Sequence, residues 1–451
     1  MPSDSDGAGR RPAPATTRPR LRFAPAPTGL PHLGTARTAL FNWLYARHCG
    51  GEMVLRIEDT NAELATRAHI EQILEMLDWL GLDFDGEPVF QSERASLYDA
   101  AIERWLDSGQ AYLDDGAVRF AVPSEGVTAF DDVVRGRVEF PNASIEDFVV
   151  KRSDGSATFF VANAVDDLDL GITHVCRGED LLNTTPRVVL LRAALGATDV
   201  PTFAHLPLIV NKQRKKLSKR RDDVSLTSYR DQGVLPEAMV NYLALLGWGP
   251  PDGVEVRPLA EIVELFDLAD VNAAPAMFDM DKLTAVNGEY LRLLDDAGFA
   301  AAIEPWVHDR PWGAGLDRAA LSNVAPLIRE RTRLLSDAPD RIAFLFAEPE
   351  MDADDWDAAL APPAGDILDR ARDDFCHVEW TADSLHSCLR SIAEEFGLKL
   401  GKAQAPVRVA ITGRAVGPPL FESLELLGRD TALQRLDAAR QRLRRTGSPA
   451  D

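Results

Sequence analysis

The sequence predicts an α/β protein: a doubly wound parallel sheet with a short insert, followed by an all-α region. Three observations carry this. Between residues 21 and 80, compact apolar runs alternate with helical periodicity, the strand–helix order that builds a parallel sheet. Residues 113–150 switch to short alternating runs with turn signals. From about Asp231 the pattern is largely helical.

The elements follow in order. Leu21–Pro25 reads as a strand entering the turn Pro25-Ala-Pro-Thr-Gly29. His32 then opens a helix with Ala36, Leu40, Trp43 and Leu44 on one face, ended by Gly50-Gly51. Met53–Ile57 is a second strand, and residues 63–80 a second helix closed by Gly81. Strands are expected at Phe148–Lys151, Thr158–Val161 and His174–Cys176, and a helix at Pro186–Leu195. Gly249-Pro250-Pro251 and Pro311-Trp-Gly-Ala-Gly315 mark linkers, and the last stretch is expected to be all-helical. The first 20 residues, rich in Pro, Ala, Arg, Ser and Thr, read as a disordered leader.

Composition narrows the class. The chain has 451 residues, 45% hydrophobic and 27% charged, enough to bury several cores without staples. No apolar run approaches the ~18–20 residues of a membrane span. Cys49, Cys176, Cys376 and Cys388 are scattered and form no C-x-x-C, so they read as reduced thiols in a cytoplasm. Lys+Arg 49 against Asp+Glu 71 gives a net charge of -22, which excludes a general nucleic-acid coat. Recognition needs only a local field, and seven of the ten residues from Lys212 to Arg221 are basic.

Two constellations carry chemistry. The first, Pro25-Ala-Pro-Thr-Gly29-Leu-Pro-His32-Leu-Gly34-Thr35, sits where a strand ends and a helix begins. Backbone N–H groups and the helix dipole collect phosphate there. Gly34 lets a ligand approach the backbone, and His32 offers a donor to a phosphate oxygen. The second, Lys215-Lys216-Leu-Ser-Lys219-Arg220, suits charge developing on a polyphosphate. Two further patterns are decoys. Cys376-His377 with His386-x-Cys388 has zinc-type residues, but His386 and Cys388 point to different helix faces. Gly397-Leu-Lys-Leu-Gly401-Lys402 has one residue too few between its glycines for a P-loop, and Ala403 follows the lysine.

Together, the H-x-G-x and K-x-S-K-x segments resemble the HIGH and KMSKS signatures of class I aminoacyl-tRNA synthetases. Further runs narrow the likeness: Arg22-Phe-Ala-Pro-Ala-Pro-Thr-Gly29, Arg56-Ile-Glu-Asp-Thr60, Arg177-Gly-Glu-Asp180, Asn241-Tyr-Leu-Ala-Leu-Leu-Gly247 and Leu398-Lys-Leu-Gly-Lys402. From about residue 20 to 445 the chain is similar to the bacterial glutamyl-tRNA synthetase family. That resemblance implies a Rossmann-type catalytic core in two halves (21–112 and 151–230) around a shortened acceptor-binding insert (113–150). It further implies a helical stem-contact domain (231–312), a helical anticodon-binding region (313–446) and a tail (447–451).

The implied activity is ATP-dependent joining of L-glutamate to tRNA(Glu), through glutamyl-adenylate, by a cytoplasmic monomer. By resemblance, His32, Gly34, Lys216 and Lys219 are catalytic. Pro25, Thr28, Gly29, Thr35, Ser218 and Arg220 join them around ATP, with Mg²⁺ on the nucleotide. Arg22, Ala24, Ala26, Glu58, Phe159, Asn163 and Arg177 fall on glutamate-binding positions: Arg22 and Arg177 for substrate carboxylate, Glu58 for the α-ammonium. Ala26 and Phe159 depart from the Ser and Tyr usual there, each removing one hydroxyl; Asn61 stands where an acid is usual. Leu113-Asp-Asp-Gly-Ala117 replaces a long insertion that sometimes carries zinc, so no metal site is expected. Arg331 aligns with an arginine that helps reject glutamine tRNA; the other readings are an enzyme that also charges tRNA(Gln), one that modifies a tRNA base, and a catalytically dead tRNA-binding paralogue. Arg435, Arg440, Arg442, Arg444 and Arg445 read as a solvated helix end.

Overall fold

A computed structural model of the chain describes residues 18–61, 63–217 and 225–446. These fall into two compact units, one running up to Arg230 with Pro236–Leu283, the other formed by Asp231–Leu235 and the chain from Thr284 on.

The first unit is built on a three-stranded parallel sheet and a four-stranded mixed sheet. Strand β1 (Arg20–Phe23) pairs in parallel with β2 (Glu52–Ile57), which pairs with β3 (Val89–Phe90). Helix α1 (Leu33–His48) crosses between the first two strands, and α2 (Arg67–Trp79) between the second and third. After α3 (Ala95–Asp107) come β4 (Ala111–Asp114) and β5 (Ala117–Phe120), then β6 (Val127–Asp132), β7 (Gly136–Pro141) and β8 (Phe148–Lys151). Helix α4 (Phe159–Asp169), β9 (His174–Gly178), α5 (Thr185–Ala194) and β10 (Thr202–Leu206) complete the core. β9 and β10 run parallel with Arg177 opposite His205, and β6 lies along the far side of β10. Thr173 N–H donates to the Arg20 carbonyl (2.9 Å), which sets the β9 edge beside β1.

The α1 face read from the sequence is buried: Ala36, Leu40 and Leu44 are wholly covered. That helix packs on β1 and against the helices Pro236–Ala244 and Leu259–Leu265. One apolar cluster gathers Tyr98, Trp105, Phe120, Phe148, Val161 and Leu191; another gathers Val54, Phe130, Val175 and Phe203.

Between Leu113 and Ala117 the chain makes a two-residue hairpin joining β4 to β5. Asp115 (φ 46°) and Gly116 (φ 79°) both take positive φ, the type I′ geometry that matches the twist of flanking strands and that Asp-Gly favours. The segment 113–150 then divides. β4, β5 and β8 form an antiparallel sheet, whereas the β6–β7 hairpin extends the β9–β10 sheet.

Four expectations are corrected. Thr158–Val161 is not a strand: Thr158 is the residue before α4, and the apolar run continues as a helix burying Val161, Ala162 and Val165. Its β-branched and aromatic letters favoured a strand locally, but packing decided. The helix expected over 63–80 begins only at Arg67, because Thr66 accepts from His69 N–H and caps it there. Pro19 and Arg20 do not belong to the expected 20-residue leader: Glu52 N–H donates to the Pro19 carbonyl (2.9 Å), and Arg20 opens β1; residues 1–17 lie outside the described residues.

The fourth concerns the terminal arginines in the second unit. Arg435 is buried, its Nη1 and Nη2 donating to the carbonyls of Ile411 and Ala347 (both 2.9 Å). Arg440 donates to Asp369 and Asp437, and Arg442 lies 4.2 Å over the Trp356 ring. These long side chains pack the helix Arg429–Thr446 rather than simply solvating it. That unit is helical throughout its described residues, around clusters centred on Phe299, Ile303, Leu321 and Ile328 and on Leu368, Phe375, Leu389 and Val407. Among the described residues no helix is long and apolar enough to cross a membrane.

Candidate active site

The carboxyl ends of β1, β9 and β10 converge where the edges of the two sheets meet, and in open α/β sheets ligands bind at the carboxyl ends of strands. A cavity of about 300 Å³ opens there. Its walls include Phe23 at the end of β1 with Ala24 and Pro25 after it, residues 32–35 at the start of α1, Arg177 and Gly178 at the end of β9, and Lys216.

His32 is the N-cap of α1. Its Nδ1 accepts from Thr35 N–H (3.2 Å), which leaves the proton of a neutral ring on Nε2. The first turn of α1 has no acidic side chain, so the positive end of the helix dipole is uncompensated there by charge from its own sequence. Gly34 has a reason the sequence did not give. A Cβ at that position would lie 3.0 Å from His32 Cε1 and 3.1 Å from Nδ1, so any side chain there would press the ring away by a few tenths of an ångström.

Arg177 is buried, and burial together with the nearby Arg22 cation pulls its pKa down to about 10. Its Nε donates to His205 Nε2 (3.2 Å) and its Nη2 to Thr185 Oγ1 (2.8 Å). Arg37 also lines the cavity but is committed to the fold, donating to the Leu246 carbonyl (3.1 Å) and to that of Pro207. Lys216 is exposed, 3.6 Å from Asp180. Leu217 lies on the cavity wall and Ser225 bridges back to His32. Ser218, Lys219 and Arg220 lie outside the described residues.

A second group is tied together by buried ions. Asp167 of α4 accepts from Arg22 Nε (3.1 Å) and Arg56 Nη1 (2.6 Å). Burial alone would raise the Asp167 pKa; the two guanidinium groups outweigh it and hold the carboxyl below its usual range. Arg56 Nη2 donates to Glu58 (3.0 Å) and to Asn163 Oδ1 (2.7 Å), and Asn163 Nδ2 donates to Glu58 (3.2 Å). Burial lowers the Arg56 pKa, but the carboxylates, led by Asp167, reverse that and raise it.

The structure therefore brings Ala24, Pro25, His32, Gly34, Thr35, Arg177 and Lys216 around one cavity. It brings Arg22, Glu58 and Asn163 into one network whose charges Arg177 feels. Ala26, Thr28 and Gly29 sit in the loop between β1 and α1, off the cavity wall, as does Phe159 at the start of α4. Arg331 is exposed on a single 3₁₀ turn, donating to the Gly417 carbonyl (3.0 Å). Sequence reasoning missed Asp132, Asp167, Thr185 and His205. Polar residues inside apolar runs were their only signal.

Residues 19–117 and 114–285 match the family described as "tRNA synthetases class I (E and Q), catalytic domain", and residues 298–440 match "Anticodon binding domain". The two catalytic matches overlap at the Asp115-Gly116 hairpin. The chain is 50% identical to a glutamate–tRNA ligase of Frankia casuarinae, over 94% of this chain and 98% of that one. It is 47% identical to one of Thermobifida fusca, over 95% and 98%. Among solved structures it superposes with TM-score 0.85 on a glutamate tRNA ligase from Elizabethkingia meningosepticum in complex with its amino acid, at 28% identity, over 94% of this chain and 99% of that one. With strands β1, β9 and β10 ending at one cavity, a His-capped helix N-terminus on its wall and likeness across nearly its whole length, the chain belongs to the class I aminoacyl-tRNA synthetases, in the glutamate–tRNA ligase family.

Proposed function

We propose that the chain activates L-glutamate with ATP in the cavity at the ends of β1, β9 and β10 and transfers it to the 3′ end of tRNA(Glu). One observation carries the residue-level reading: a helix N-terminus capped by His32, the guanidinium of Arg177 and the ammonium of Lys216 face the same 300 Å³ space. Three sources of positive charge suit a triphosphate and a carboxylate brought together.

The glutamate carboxylate is ionised at neutral pH, so the first step needs no general base. One carboxylate oxygen attacks the α-phosphorus, the bond to the bridging oxygen breaks, and pyrophosphate leaves with the electron pair. The protein's part is positioning and charge stabilisation. His32 Nε2–H and the backbone N–H groups around Gly34 hold phosphate oxygens. Lys216, with Lys219, stabilises the pyrophosphate as its charge grows. Mg²⁺ on the nucleotide supplies further charge compensation. Arg22 and Arg177 take substrate carboxylate, and Glu58, held by Arg56 and Asn163, takes the α-ammonium. The terminal ribose hydroxyl of the tRNA then attacks the mixed anhydride and releases AMP. We assign the helical second unit to the tRNA body and anticodon, with Arg331 at the anticodon, and the whole to a monomer in the cytoplasm.

The test is aminoacylation with purified tRNA(Glu) and tRNA(Gln) in parallel. Glutamylation of tRNA(Glu) alone is expected; no product with either would refute the reading, and equal charging of both would refute the tRNA selectivity. Gly34→Ala probes the phosphate end. The added methyl displaces the His32 ring, so the KM for ATP is expected to rise about tenfold, roughly the loss of one hydrogen bond to a charged group. An unchanged KM for ATP would remove His32 from the phosphate site.

A further inference from the structure

The contacts behind Arg177 are more specific than burial requires. An arginine side chain only donates, so a group that holds its Nε must accept. His205 accepts there, at 3.2 Å through Nε2, and so the ring must carry its proton on Nδ1. Asp132 secures that proton. Its Oδ2 is 2.6 Å from His205 Nδ1 and also takes the His205 backbone N–H (3.0 Å). Its Oδ1 takes the N–H groups of Val134 (2.9 Å) and Arg135 (2.8 Å). The carboxylate is thus held on both oxygens and the imidazole tautomer is fixed by its partner.

The ring cannot turn away. It stacks on Phe203 (5.8 Å, 12°) and lies beside Phe130 (6.1 Å), with neither its own side chain nor that of Asp132 exposed. The groups that face it are Asp132 from β6, Arg177 from β9 and Thr185 from α5, with Arg22 acting through its charge and the Arg135 side chain on its backbone carbonyl. Burial, reinforced by the cations, keeps the imidazole neutral against the pull of Asp132. Arg177 Nε and Nη2 are engaged by His205, Thr185 and the Leu181 carbonyl, whereas its Nη1 makes no hydrogen bond among the described residues.

We propose that Asp132 and His205 are positioning residues for Arg177: they hold its guanidinium by one edge so that Nη1 points its charge at the carboxylate of the incoming amino acid, and thereby set the affinity for glutamate. This rests on the reading that Arg177 binds substrate carboxylate. Asp132→Asn keeps the shape but puts an amide N–H against Nδ1. The ring must then present Nε2–H to Arg177 Nε–H, donor against donor. His205→Leu removes the acceptor outright. His205→Gln restores one, because its side-chain oxygen reaches the region of Nε2.

The experiment measures glutamate and ATP KM separately, in aminoacylation of tRNA(Glu) by the full chain, for these three variants and for Arg177→Ala. Asp132→Asn and His205→Leu are expected to raise the glutamate KM about 10- to 100-fold, the range for losing a hydrogen bond to a charged group, with the ATP KM nearly unchanged and partial recovery in His205→Gln. A general packing defect would move both constants and would not be rescued by Gln. If His205→Leu does not fold, the isosteric Asp132→Asn decides. Glutamate KM close to wild type in Asp132→Asn and His205→Leu, with Arg177→Ala impaired, overturns the positioning role alone. An unimpaired Arg177→Ala overturns the carboxylate site itself, and this inference with it.

Discussion

Asp167→Ala is expected to lower the Tm by about 10 °C and to remove measurable charging with glutamate. Asp167 is the shared anion of Arg22 and Arg56, and all three are buried. Deleting one partner of a buried pair costs about 3–5 kcal/mol, because a desolvated charge is left uncompensated. For a unit of this size each kcal/mol moves the Tm by about 2–4 °C. Here two guanidinium groups are stranded at once, and Arg22 loses the contact that fixes it beside the cavity. The pH dependence follows from the direction of the Asp167 shift. Its folded pKa lies below the unfolded value, so its contribution is present above about pH 4 and is lost as pH falls through the folded pKa. The Tm gap between wild type and Asp167→Asn is therefore expected to hold steady from pH 5 to 8 and to narrow on further acidification. A gap that widened toward acid would contradict the assignment of Asp167 as the ionised hub.

The second large effect is on chemistry rather than stability. Lys216→Ala, and more so the double variant with Lys219→Ala, is expected to slow adenylate formation by about two to three orders of magnitude, the usual consequence of removing a charge aimed at a transition state. Lys216 and Asp180, 3.6 Å apart, are both exposed, so the substitution leaves no buried charge and the Tm is expected to hold. Single-turnover formation of adenylate and equilibrium binding of tRNA separate the two possible roles. A rate loss with tRNA affinity nearly unchanged fits a lysine on the departing pyrophosphate. Loss confined to tRNA affinity would move the basic run from the chemistry to the RNA.

The parts of this molecule that were legible in sequence are those whose signal is local. Strand-to-helix alternation placed β1, α1 and β2, and the Gly and Pro punctuation placed the loop that His32 closes. Gly34, Arg177 and Lys216 were singled out through runs that carry meaning only in combination, and the three line one cavity. Asp167 and His205 were not. One is a carboxylate among apolar helix residues and the other a histidine in an apolar strand, and their partners lie far away in sequence. Arg177 meets His205 only because β9 and β10 pair in one parallel register, a choice made by the whole sheet rather than by either strand. Thr158–Val161 failed for the opposite reason: its local preference was clear, and packing of Val161 and Val165 overruled it. Arg435 shows the same limit from the polar side, since charge composition cannot tell a solvated arginine from one whose guanidinium seals two carbonyls.

The Asp115-Gly116 turn has a consequence for how chains of this architecture change length. The strands on either side are hydrogen-bonded to each other up to Asp114 and Ala117, so entry and exit at the tip are neighbours in space. A module spliced between them adds a closed loop whose entropic cost grows only with the logarithm of its length, and it leaves the ladder beneath intact. Such a tip is suited to act as a graft point, where a whole segment is added without renegotiating the fold. Transplanting a self-folding helical module between Asp115 and Gly116 tests this directly: the host's unfolding transition should survive the graft.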